Sequence, residues 1–182
     1  MHTEVHVHGD ISLKRGAGSA EIEAALRPWL EYVDVDSLAE AMSAREEEPG
    51  IALDVRKRLL QICWTGWVGR NFQRALESAL SGVCEFAESA SAIEVTYYQE
   101  DGRDEFGVVF VGPDGGAIEN AKRRRMVDDV SLLLSRQFSD EEVGQVQALI
   151  ERLYEQQQKD QASSGGTTAI RGLVPAGRKH LH

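Results

Sequence analysis

Residues 58–88, RLLQICWTGWVGRNFQRALESALSGVCEFAE, carry the pattern from which the rest of the chain is read. Apolar residues recur at Val68, Phe72, Ala75, Leu76, Ala79, Leu80 and Val83, the spacing of one buried helix face. Arg70, Asn71, Arg74, Glu77, Ser78, Ser81 and Glu85 fall on the other side and should meet water. The segment Trp64-Thr65-Gly66-Trp67-Val68-Gly69 leads into this helix, and the pattern predicts that both indoles belong to the interior. Cys63 and Cys84 lack metal-type spacing and both fall on apolar faces, so they read as small hydrophobes in a reducing compartment.

Upstream of this stretch, residues 3–13 alternate with period two. Thr3, Val5, Val7, Ile11 and Leu13 share one face, while His2, Glu4, His6, His8, Asp10 and Ser12 share the other. Gly16 and Gly18 open a turn, and Ser19 can cap a helix with Ile22, Ala25, Leu26, Trp29 and Leu30 inward. Pro28 interrupts that pattern, predicting either a kink or an end at Arg27. A brief helix from Ser37 to about Arg45 precedes the break Glu46-Glu47-Glu48-Pro49-Gly50. Between residues 51 and 64 two periods compete. Period two places Leu53, Val55, Leu59 and Cys63 on one side of a strand, while period 3.6 places Leu53, Leu60, Cys63 and Trp64 on a helix. The β-branched and aromatic residues framing the stretch favour strand.

Downstream, Ile93–Tyr98 and Phe106–Val111 flank the polar turn 100–104, which contains Asp101-Gly102, and predict a hairpin. A helix should run from about Ala117 to Gln137, and Ser139 with Glu142 forms a capping box for a second. These elements predict an α+β fold: an antiparallel or mixed sheet, ferredoxin-like, with helices on one face and a C-terminal helical pair. Residues 1–158 are expected to form a single globular domain, and residues 159–182, rich in Ser, Gly and Thr, a flexible basic tail.

Composition excludes several classes of function. The net charge of -10 removes the basic field that nonspecific nucleic-acid binding needs. No apolar run reaches the roughly 20 residues that span a bilayer, and no secretory leader opens the chain, so a cytoplasmic protein is expected. The run Lys122-Arg123-Arg124-Arg125 is balanced along its helix by Glu119, Asp128 and Asp129, and reads as a solvated face. No nucleotide loop, cofactor motif or nucleophile elbow is present, so catalysis is not indicated.

Three groups of residues remain as candidates. The wet face of the first strand, with Glu4, His6, His8 and Asp10, together with Glu94, Thr96 and Tyr98 of the hairpin, offers a binding surface for a protein partner. His6 and His8 point the same way and can reach a common metal ion, although the sequence identifies no third ligand. Gly66, Gly69 and Arg70 precede a helix and could hold an anion; the competing reading is that glycines beside tryptophans let large rings pack. The leading expectation is a non-catalytic, acidic interaction protein, such as an accessory factor or inhibitor. The alternatives are a self-assembling subunit, and a metal-binding protein or metal-dependent enzyme using His6 and His8.

Overall fold

The computed structural model describes residues 2–163. These fall into two compact units, one through Ile118 and one from Glu119 onward.

The first unit contains β1 (Thr3–Ser12), α1 (Ser19–Tyr32), β2 (Gly50–Asp54), β3 (Leu59–Val68), α2 (Phe72–Val83), β4 (Ser91–Tyr98) and β5 (Glu105–Val111). Its strands lie in the order β2-β3-β1-β4-β5, with every neighbouring pair antiparallel. The first four strands and two helices run β-α-β-β-α-β, the split arrangement of ferredoxin-like folds. β5 widens that sheet through the hairpin that its sequence predicts.

One face of the sheet builds the core. Val5, Val7 and Ile11 of β1 meet Leu60, Ile62, Trp64 and Val68 of β3 and Ile93 and Val95 of β4, all buried. Ile22, Leu26, Trp29 and Leu30 from α1, and Phe72, Leu76, Ala79, Leu80 and Val83 from α2, belong to the same cluster. At its centre Trp29 meets Trp64 edge to face at 5.5 Å between centroids, and Trp64 stacks on Phe72 at 5.8 Å. Among the described residues of this unit, α1 and α2 both pack on that face.

The structure revises the expected elements at four places. Residues 51–64 form two strands joined by a turn at 55–58, where Arg58 takes a left-handed φ of 54°. Asp54 accepts a hydrogen bond from the Lys57 amide and stabilises that turn without glycine or proline. β3 runs on to Val68, and strand alternation turns Trp67 outward, so one of the two indoles expected inside is 67% exposed. Helix α1 passes through Pro28 without ending, and its N-cap is Gly18, whose amide is bound by the Glu21 carboxylate. The helix expected from Ser37 shrinks to a 3-10 turn, Leu38–Glu40, followed by irregular chain.

The second unit contains α4 (Asp140–Ser163) and most of α3 (Gly115–Leu134). Ser139 and Glu142 make the expected capping box: the Ser139 amide and hydroxyl both donate to the carboxylate, at 2.9 and 2.8 Å. Lys122 pairs with Glu119 and Arg125 with Asp129 along α3, which offsets two of the four cations of that basic run. The helix takes in residues 159–163, and the rest of the expected tail lies outside the described residues. Among the described residues no helix is long and apolar enough to cross a membrane.

Candidate metal centre

The face of the sheet opposite α1 and α2 gathers the polar residues of three strands. Antiparallel register places Thr65, His6 and Thr96 in one row, with Cys63, His8 and Glu94 in the next. Glu4 and Tyr98 pair in a third row beside Trp67. The expected binding-surface residues of β1 and β4 therefore lie on one continuous face, with Asp10 beyond them opposite Gln61.

Within this face, donor atoms of His6, His8 and Cys63 all lie within 4.8 Å of one another. The two imidazoles project from alternate residues of β1 and stack, with centroids 6.0 Å apart and planes 11° from parallel. Cys63 stands directly across the ladder from His8. A tetrahedral zinc with bonds of about 2.0–2.3 Å sets its donors roughly 3.3–3.8 Å apart, so closure needs movements of about 1 Å, within reach of side-chain rotation. Two imidazoles and one thiolate suit zinc and similar borderline ions better than calcium or magnesium.

A loop over residues 41–49 completes the site. β2 covers β3 only as far as Cys63, so beyond that residue the edge of β3 needs other partners. The loop supplies them: the Thr65 amide donates to Ser43 Oγ at 2.9 Å, and the Ala44 amide to the Thr65 carbonyl at 2.8 Å. Trp64 Nε1 donates to the Met42 carbonyl at 3.1 Å, tying the same loop to the core. The chain then passes over the polar face and brings Glu48, only 13% exposed, to 3.5 Å from His6 Nδ1. Arg45 pairs with Glu4 at 2.9 Å and lies over the Tyr98 ring.

Electrostatics distinguish the groups. Burial alone would raise the Glu48 pKa, but hydrogen bonding to the Ser43 and Thr65 side chains, and then electrostatic attraction to the neighbouring His6 and Arg45 side chains, holds it below the ordinary carboxylate value. Burial, followed by the negative charge of Glu48, pushes the Cys63 thiol up. Metal binding here would therefore release the thiol proton.

Sequence reasoning finds two of the three donors. Cys63, expected on an apolar face, stands instead on the polar one, and Glu48 was hidden in an acidic run that reads as solvated loop. Thr65, 1% exposed and the one buried polar side chain among the described residues, gave no signal of its own. The anion candidates occupy separate environments: Gly66 lies inside β3 beneath the Trp64 ring, the Gly69 amide donates to the Tyr32 hydroxyl at 2.7 Å, and Arg70 is exposed.

No curated protein and no solved structure matches this chain. The family model described as "Family of unknown function (DUF6806)" matches residues 3–155, and the chain belongs to that family.

Proposed function

We propose that this protein binds a zinc-class divalent ion through His6, His8 and Cys63. The convergence of three donor atoms from two strands within 4.8 Å carries this reading. Three protein donors leave one position of a tetrahedral ion for water or a ligand, as in zinc sites that exchange ligands rather than closed structural ones. Untagged protein, dialysed mildly and analysed for metal, is expected to retain about one equivalent per chain, and His8→Ala and Cys63→Ser to lose it. Less than roughly half an equivalent in the wild type would reject a tight site.

A protein-docking role on the same face is the second reading. Trp67 and Phe106 are 67% and 60% exposed there, and aromatic side chains anchor interfaces. The acidic body adds complementarity to a basic partner, so binding should weaken with salt and with Trp67→Ala. Self-assembly rests on another observation: Leu132, Leu133, Phe138, Leu149 and Leu153 of the helical unit are all exposed. Light scattering at tens of micromolar, about the range where such contacts persist, separates an oligomer from a monomer.

A further inference from the structure

We infer that Glu48, acting with Thr65, orients His6 so that Nδ1 carries the proton and Nε2 is the metal-binding nitrogen. This rests on the metal-binding reading above and assigns a positioning role to a residue outside the three donors.

Glu48 accepts a hydrogen bond from the Ser43 hydroxyl. An ionised carboxylate can only accept, and Glu48 Oε1 lies 3.5 Å from the His6 Nδ1 that also faces Thr65 Oγ1. His6 Nδ1 lies 2.9 Å from that same Thr65 Oγ1. Beside that carboxylate Nδ1 is matched as an N–H, which donates to the Thr65 hydroxyl. The opposite tautomer would set an Nδ1 lone pair beside a carboxylate oxygen 3.5 Å away. Nε2 is then the nitrogen left with a lone pair. A histidine that holds a metal through one nitrogen and gives its other N–H to neighbouring acceptors, a carboxylate among them, has its ring fixed and its basicity raised.

The geometry also makes the 41–49 loop part of the centre. Ser43 anchors Glu48 and accepts the Thr65 amide, so one hydroxyl joins the loop, the edge of β3 and the carboxylate.

The test uses the full chain, zinc titration against a competing chelator, and ¹⁵N NMR of the histidine rings. Metal-free wild type is expected to show His6 protonated at Nδ1, and the zinc-bound protein to show coordination through Nε2. Glu48→Gln keeps the shape of the side chain but lets it donate as well as accept, and should weaken zinc binding about 10–100-fold while the circular dichroism spectrum stays unchanged. Thr65→Ser keeps the hydroxyl and should bind like the wild type. Coordination through His6 Nδ1, or tight wild-type binding that Glu48→Gln leaves unaltered, would overturn the positioning role while the metal site stands. A wild type with the expected His6 tautomer that nonetheless takes up no zinc would reject the metal site, and with it the role assigned to Glu48.

Discussion

Gly66 shows how tightly single residues define this structure. A Cβ at that position would overlap the Trp64 ring, which lies across the backbone of its own strand and fills the centre of the core. Gly66→Ala must therefore displace the indole from its contacts with Trp29 and Phe72, and is expected to cost about 1–3 kcal/mol in urea denaturation. An unchanged midpoint would mean that the ring has somewhere else to go. This glycine was legible as a packing device in the sequence, because a large ring two residues away needs a place for its face. Thr65 was not. Its hydroxyl gains meaning only when β1 sets His6 opposite and the loop delivers Glu48. Thr65→Val preserves shape but removes that hydroxyl, so half-buried His6 loses its hydrogen bond, at an expected cost of about 1 kcal/mol.

At the scale of elements, local pattern succeeded wherever one period ran uninterrupted. The alternation of β1, the inner face of α2 and the β4–β5 hairpin all stand as their residues imply. Cys63 was misplaced because the turn at 55–58 carries none of the usual turn residues and shifts the alternation. Leu53 pairs with Leu60 and Asp54 with Leu59, so odd-numbered residues of β2 share a face with even-numbered residues of β3. A single strand drawn through both puts Cys63 on the side of Leu53, whereas the hairpin puts it on the opposite side, beside His8. The capping box of α4 is a local device of the other kind, fully readable from Ser139 and Glu142. The backbone amide of Ser139, then its hydroxyl, hold the Glu142 pKa below the ordinary carboxylate value. A lowered folded-state pKa stabilises the helix start above the ordinary value, and that contribution is lost as pH falls through the folded one. Amide exchange in the first turn of α4 is expected to accelerate as pH drops through roughly 5 to 3, after correction for intrinsic rates, and Glu142→Gln should remove the dependence. A Glu142 carboxyl that titrates at the ordinary value would exclude the effect.

Across the whole molecule, the buried hydrophobic cluster ends at Val111, and Val143 is the buried hydrophobic residue described beyond it. The driving force for folding is thus concentrated in the first unit, whose length is already that of an ordinary domain. A chain ending at Ile118 is expected to keep its sheet, to unfold cooperatively and to bind zinc as tightly as the full protein, because His6, His8, Cys63, Glu48 and Thr65 all lie within it. Far-ultraviolet circular dichroism, denaturation and metal titration on the two lengths make the comparison. The exposed leucines of α3 and α4 add a second contrast, since apolar surface on a helical pair is favourable to cover and a second copy supplies such a cover. If these residues drive assembly, the full chain should scatter as an oligomer and the chain ending at Ile118 as a monomer, with metal uptake equal in both. Loss of zinc binding on truncation would instead show that the helical unit contributes to the centre, a dependence that none of the five site residues implies.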